Sequence, residues 1–352
     1  MPWEIIPSGT KIDFIGKRRL AALLSSGLLL ASVAAVFVNG VKLGIDFAGG
    51  TEVQLEFAQG VPASDGAIRD VLTDALEINE PSVVRYGEPG SNEFLVKFKG
   101  DINTPGGPGV EAEVADGADL ITKLGRALTG AIGPVEIERV EFVGPRVGAE
   151  LRQDGLKSLL YASFAILIYI AFRFSARFAP GAIVAVLHDL SITAGIFVIL
   201  GMEFDLRILA AMLAILGYSL NDTIIIYDRV RENMALHTSV DLPEVLNQSV
   251  NQTLSRTVLT SSTTLAALLS LFFLGGPVIQ PFAFAMILGV IVGTYSSVYI
   301  AAPVLLLLEQ RFGGDASGSS VEHQTGKRPA GEASQSGSRE QRIKAKKKAR
   351  TT

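Results

Sequence analysis

The sequence predicts an α-helical membrane protein of six transmembrane helices, with a small α+β domain of ferredoxin-like type inserted after the first. Three observations carry this. The 352 residues are 48% hydrophobic yet 19% charged, with a mean hydropathy of +0.38, so apolar residues must be gathered into blocks with the charges between them. Six apolar runs are each long enough to cross a bilayer as a helix. Basic residues cluster before the first run, in alternate short gaps between runs and after the last, as the positive-inside rule requires of an alternating chain.

The first run, Leu20–Val38, follows Lys17, Arg18 and Arg19. It exceeds a usual signal-peptide core, and five more runs follow, which favours a retained span over a cleaved leader. The others are Leu156–Phe172, Phe178–Gly201, Leu206–Tyr227, Val258–Leu274 and Phe282–Leu308, most of them joined by the short turns Arg173–Arg177, Met202–Asp205 and Gly275–Pro281. Lys11 with Lys17–Arg19, then Arg173 with Arg177, then Arg229, Arg231 and Arg256, and finally the lysines and arginines after the sixth run all fall on one side. That side is read as the cytoplasm, so the chain is expected in the plasma (inner) membrane with both termini cytoplasmic. The expected divisions are a cytoplasmic N-terminus over 1–19, a span over 20–38, an extracytoplasmic domain over 39–155, five spans over 156–308, and a tail over 309–352.

Within 39–155, Glu52–Phe57 and Glu93–Lys99 alternate as strands, Ser82–Tyr86 does so more weakly, and Val135–Val143 reads as a last strand. Ser64 is placed to cap a helix whose apolar stripe is Ile68, Val71, Leu72 and Leu76. Asp119–Thr129 is a second helix, with Ile121, Leu124 and Leu128 on the side of Leu120. Strand, helix, strand, strand, helix, strand is the split βαβ order. Acids outnumber bases two to one in this domain, which fits a solvated surface or a basic partner. Gly100–Gly117 reads as a long loop. Gly313–Thr352, ending in Lys344, Lys346, Lys347, Lys348 and Arg350, reads as a disordered basic tail able to meet anionic lipid or RNA, or only to reinforce topology.

Polar groups inside the spans are the candidate site. A charged side chain at mid-bilayer costs ~2.5–3.5 kcal/mol even on insertion scales, so it must face protein or water. Asp189, beside His188, lies about 13 Å in from the cytoplasmic end of the third span at 1.5 Å per residue. Asp222, beside Asn221, lies about 9 Å from the same end of the fourth. Tyr218 and Ser219 precede Asp222 by a turn and share its face. The fifth span opens with Thr257, Thr260, Ser261, Ser262, Thr263 and Thr264 at the same level. Hydrogen-bonded glue between helices accounts for the hydroxyls. It accounts less well for two carboxyls, which can gain and lose a proton, so Asp189 and Asp222 are expected to form a relay with His188 and Asn221. Tyr218, Ser219, Thr260, Thr263, Thr264 and Arg229 are the expected supporting layer. Arg229 also reads as a topology anchor, and His188 as a group that orients Asp189. Gly289 and Gly293 form a small-xxx-small pair suited to close helix packing.

These residues resemble a known family. Gly44-Ile45-Asp46-Phe47-Ala48-Gly49-Gly50 is similar to the GIDF-x-GG signature of the SecD/SecF family, Leu187-His188-Asp189 to an HD motif of its SecF branch, and Gly217–Thr223 with Tyr227–Asn233 to the GYSLNDT…DRIREN block of that branch. Arg256-Thr257 and Gly275-Gly276-Pro277 fall where similar elements stand. The resemblance runs over about residues 10–310 and departs at Ala48, in the 100–117 loop and in the tail. It implies half of an RND-type bundle that works with SecD beside the SecYEG channel, uses the proton gradient to draw preproteins outward, and has YajC, YidC and membrane lipid as further neighbours. Gly44, Asp46, Gly49 and Gly50 become the expected hinge of the outer domain, where glycine admits backbone angles closed to other residues.

No enzyme is expected. There is no cysteine, which removes thiolate chemistry, disulfides and cysteine-bound metal. The outer domain has no histidine, and no G-x-x-x-x-G-K-[ST] loop occurs. No cofactor, metal or specific nucleic acid is implied. A passive scaffold for the translocase and half of a small-molecule RND-type exporter stay open as alternatives. The carboxyls favour an ion-coupled subunit over the scaffold.

Overall fold

The computed structural model describes residues 7, 10–76, 78, 81–86, 91–98, 117–174, 178–236 and 240–312. The expectations for the 100–116 part of the loop, the tail from Gly313 and the turn residues 175–177 lie outside them.

Among the described residues, six helices are long and apolar enough to cross a membrane. They are α1 (Arg18–Asn39), α5 (Pro145–Phe174), α6 (Ala179–Ile199), α7 (Leu206–Leu236), α8 (Leu242–Leu274) and α9 (Gly276–Ser296), the last continued through a π-helical turn at Ser297–Ala301 into α10 (Ala302–Phe312). Between α1 and α5 come α2 (Ile45–Ala48), β1 (Gly50–Phe57), α3 (Asp65–Leu76), β2 (Ser82–Tyr86), β3 (Glu93–Phe98), α4 (Gly117–Ala131) and β4 (Val135–Val143).

Several helices outrun the apolar spans read from sequence. α5 begins at Pro145, α8 at Leu242, and α7 continues to Leu236. Hydropathy marks the stretch that hydrocarbon covers, whereas a helix continues into water while its backbone bonds and packing hold. Gly275–Pro281 is not a turn throughout. The chain reverses at Gly275 and Gly276, the latter at φ +74°, and Pro277 and Pro281 already lie in α9.

Small residues set the close helix contacts. A Cβ on Gly195 of α6 would fall 2.0 Å from Ser32 Oγ of α1. On α9, a Cβ on Gly289 would fall 2.2 Å from Ile215 Cγ1, and one on Gly293 would fall 3.1 Å from Ser219 Cβ, both on α7. The pair expected to serve packing therefore lies at the α7–α9 contact, where the missing side chains let the backbones approach. Apolar packing fills the rest, around Phe178, Val186, Tyr227 and Leu246 in one cluster and Phe197, Met212 and Ile215 in another. α1 and α5 leave Leu23, Phe37, Phe164 and Phe172 exposed, as expected of faces turned to lipid or to a second membrane protein.

The inserted domain has the expected strand and helix order, and its sheet runs β2-β3-β1-β4, antiparallel at each pairing. Alternation along β1 and β3 sends Val53, Leu55, Phe57, Phe94, Val96 and Phe98 to one face, where Ile68, Leu72, Leu124 and Leu128 of the two helices cover them. Ser64 Oγ accepts the Ala67 amide at 3.2 Å, the expected cap. The open face is acidic. Glu93, Glu56 and Glu136 stand in register across three strands, with Glu138 in the bulge beside them. Desolvation first, then the hydrogen bond and like charge of Glu56 and the charges of Glu93 and Glu136, push the Glu138 carboxyl above the ordinary range.

Candidate functional site

Two residues of α6 anchor the centre of the bundle. Asp189 is fully buried and His188 nearly so. His188 Nδ1 lies 2.8 Å from Asp189 Oδ1. The other carboxyl oxygen, Oδ2, accepts the hydroxyls of Ser219 on α7 and of Ser296 at the end of α9, the latter at 2.6 Å. Across the ring, His188 Nε2 is 3.1 Å from Ser25 Oγ on α1. Ser25 shares a hydrogen with Tyr295 at 3.0 Å, and Tyr295 donates to the Ala21 carbonyl of α1 at 3.0 Å. The Tyr295 ring stacks on His188 at 6.1 Å and 27°. The His188–Asp189 pair thus ties together four helices.

Asp222 is the opposite case. It is 2% exposed, and neither carboxyl oxygen has a hydrogen-bond partner among the described residues. A bare buried carboxylate is costly, so this one needs a donor from water, from a second subunit or from its own proton. It follows Ser219 by one helical turn. The two carboxyls therefore meet the same stretch of α7, but no hydrogen bond joins them.

Helical phase decides which other expected residues reach this centre. Successive residues on an α-helix are turned by about 100°, so with Asp222 inward, Asn221 faces outward and is exposed. On α8 the inward positions are Thr257 and Ser261. Ser261 bonds Thr294 Oγ1 at 2.8 Å, and Tyr218 reaches Ser261 at 3.4 Å. Thr260 turns its hydroxyl back to the carbonyls of Arg256 and Thr257, and Thr263 to those of Leu259 and Thr260. Thr264 is half-buried. Arg229 pairs with Glu232 at 2.9 Å. It lines a polar cleft of about 290 Å³ with Arg173, Asp228, Glu232 and Arg256. Ser25, Tyr295 and Ser296 belong to the centre and were not singled out from sequence. Their signal was present: Ser25, Ser26 and Ser32 in an otherwise apolar first span, and Thr294–Ser297 as a polar quartet within the sixth. No group of three or more His, Asp or Glu side chains is placed to hold a metal ion among the described residues.

The glycine-rich segment forms a joint between the spans and the sheet. Gly44 donates its amide to the Phe204 carbonyl at 2.8 Å, and Phe204 donates to Lys42 at 2.8 Å. Asp46 Oδ2 accepts the Leu206 amide at 2.9 Å, so α2 satisfies the start of α7. Gly49 and Gly50 have φ of +78° and +149°, and Gly49 packs on the backbone of Pro145 at the head of α5. Lys97 of β3 bridges Glu52 of β1 at 3.5 Å and Glu203, between α6 and α7, at 3.3 Å.

Comparison with known proteins identifies relatives of this chain. Residues 124–311 match the family model described as protein export membrane protein SecD/SecF, C-terminal, and residues 34–61 match the SecD/SecF GG motif. The chain is 40% identical over 311 residues to a protein translocase subunit SecF of Calditerrivibrio nitroreducens, covering 87% of this chain and 97% of that one. It is 41% identical over 297 residues to the same-named protein of Pseudomonas aeruginosa, covering 84% and 91%. The crystal structure of SecDF, a translocon-associated membrane protein from Thermus thermophilus, superposes with a TM-score of 0.72 at 35% identity, over 86% of this chain and 39% of that longer one. SecDF in its super-membrane-facing form gives a TM-score of 0.64 at 34% identity, over 90% and 41%.

Proposed function

Because this chain belongs to the SecD/SecF family of protein export membrane proteins, we propose that it is the SecF-type subunit of a SecDF-type complex and assists export through the SecYEG channel, driven by the proton gradient. It carries no chemistry of its own on the exported chain. It pairs with a SecD-type subunit, which supplies the other half of the bundle, and both its termini lie in the cytoplasm. Contacts with YajC, YidC, lipid and emerging preproteins rest on the resemblance.

The observation that carries the proton reading is Asp222, a buried carboxyl with neither oxygen satisfied among the described residues. Helix glue does not leave its own acceptors bare, whereas a proton site must be open to change. Asp189 is different. Its oxygens are fully engaged, and that specific observation favours a structural share in its role. Alternating charge at this level biases two packings of the helices, and the joint at Gly44–Gly50 carries the difference to the outer domain.

The test compares wild type with Asp222→Asn and Asp189→Asn in inverted membrane vesicles, with and without a proton gradient. Asn keeps the shape and removes the titration. Asp222→Asn is expected to keep expression and SecD binding and to lose gradient-dependent export, with Asp189→Asn doing so less completely. Normal gradient-driven export by both variants would return the acids to glue and the protein to a scaffold.

A further inference from the structure

The contacts leaving Asp189 can be followed hydrogen by hydrogen, because each group holds a fixed number of them. The Ala21 carbonyl only accepts, so Tyr295 gives it the one phenolic hydrogen, across 3.0 Å. The Tyr295 oxygen then accepts from Ser25, across 3.0 Å. Ser25 has one hydrogen and has now placed it, so His188 Nε2 must donate across the 3.1 Å that separates it from Ser25 Oγ. On the other side of the ring, one hydrogen lies between Nδ1 and Asp189 Oδ1, 2.8 Å apart. Every contact is satisfied only when His188 and Asp189 together hold two protons, one on Nε2 and one shared with the carboxyl.

We propose that Ser25 and Tyr295 are positioning residues that report the proton count of the His188–Asp189 pair to the first membrane helix. The argument rests on the reading that this level of the bundle exchanges protons. When the Nε2 proton leaves to water, the remaining proton stays between Nδ1 and Asp189, and Nε2 becomes an acceptor. Ser25 turns its hydrogen to Nε2. Tyr295 then has one hydrogen for two acceptors, Ser25 and Ala21, and one of those contacts is lost. No other bond changes. The loss falls between α1 and α9, while α1 keeps its ties to α6 through Ser25 on His188 and through the packing of Ser32 on Gly195. α1 leads through Lys42 and Gly44 directly into the joint with the outer domain.

The surroundings suit a count held within the pair. α1 has no titratable side chain from Leu20 to Asn39, and α6 has none besides the pair. The facing elements contribute Asp222, Tyr218 and Tyr227 in the body of α7, with Arg207, Asp228, Arg229, Arg231 and Glu232 toward its ends, Tyr295 on α9, Tyr299 in the π turn, and Lys157, Tyr161, Tyr169 and Arg173 on α5, with Arg146, Glu150, Arg152 and Asp154 at its head. Tyr295 is held by its ring as well as its hydroxyl, stacked on His188 and on Tyr299 at 5.2 Å and 29°. Tyr295→Phe therefore removes the reporter and keeps the packing.

The experiment uses the chain in complex with its SecD-type partner in lipid vesicles. Spin labels go on cysteines at Phe37 of α1 and Ile279 of α9, both exposed, in a chain with no native cysteine. The distance between them is expected to shift between mildly acidic and mildly alkaline pH. Tyr295→Phe and Ser25→Ala should each shrink that shift and lower gradient-driven export about threefold, the equivalent of an average membrane hydrogen bond of ~0.6 kcal/mol. The double variant should be no worse than either single one. Gradient-independent export should be unchanged. A full shift and full export in Tyr295→Phe overturn the proposal, as does an equal loss with and without the gradient. If Asp189→Asn is itself normal, the proton reading at this residue has failed. If Asp189→Asn is impaired while Tyr295→Phe is not, the relay to α1 alone has failed.

Discussion

Replacing Gly49 with alanine tests whether the joint between spans and sheet is as tight as it looks. Gly49 sits at φ +78°, and a Cβ there would lie 2.8 Å from Pro145 Cα, 3.1 Å from Pro145 N and 3.3 Å from the Val143 carbonyl. The left-handed backbone costs a non-glycine residue ~1–2 kcal/mol. Carbon atoms rest at about 3.5–4.0 Å, so the head of α5 must also retreat, and crowding of that kind costs ~1–3 kcal/mol. The sum is ~2–5 kcal/mol, or at least about thirtyfold in a local opening equilibrium. Gly60 supplies the control, because it has φ +88° and open space around the position of a Cβ. Gly60→Ala should incur only the ~1–2 kcal/mol backbone term. Amide hydrogen exchange across β1 and β4 reads the difference, and gradient-driven export reads its consequence. Gly49→Ala exchanging no faster than Gly60→Ala would refute the reasoning, since both share the dihedral cost and only Gly49 meets a backbone.

Other outcomes can be checked in parallel. A cysteine at Gln59 should react with impermeant thiol reagents in intact cells and one at Ser255 should not; the reverse pattern would overturn the orientation. Gly289→Leu should drive α7 and α9 apart, because its first added carbon would already fall 2.2 Å from Ile215, and thermal unfolding in detergent should fall by several degrees while Gly217→Ala, which meets nothing within 4 Å, stays near wild type. The folded-state affinity of Glu138 for a proton is raised, so the folded domain binds protons more readily than the unfolded chain and its stability declines as pH rises from the ordinary glutamate range through the raised value. Glu138→Gln should flatten that decline; an unchanged pH dependence of exchange in β1 and β4 would remove the acidic row as its cause.

The six spans and the strand order of the outer domain were legible because each rests on a period or a length. Apolar runs have the thickness of a bilayer, Val53, Leu55 and Phe57 repeat every second residue, and Leu124 and Leu128 every fourth. The buried centre was legible only in part. Asp189, His188 and Asp222 declare themselves because charge in hydrocarbon is rare. Their partners do not, since which serine meets a carboxyl depends on how helices far apart in sequence are turned about their axes. Asn221, Thr260 and Thr263 share the right level with Asp222 and Ser261 and have the wrong phase. Ser25 has the right phase on a helix whose contacts only the folded bundle reveals.

The Lys97 bridge and the Asp46 cap have a mechanical meaning. The turn between α6 and α7 is tied to the sheet by Lys97 on Glu203, and to the segment leading into the sheet by Asp46 on Leu206 and by the backbone bonds of Gly44 and Lys42 with Phe204. Asp189 lies ten residues below the end of α6, about 15 Å down the same shaft at 1.5 Å per residue. A tilt of that hairpin by a few degrees would be passed to the sheet above it, and the displacement would grow with distance from the pivot. Under the proposed mechanism, these ties would gear a small event in the bilayer to a larger sweep in the space beyond.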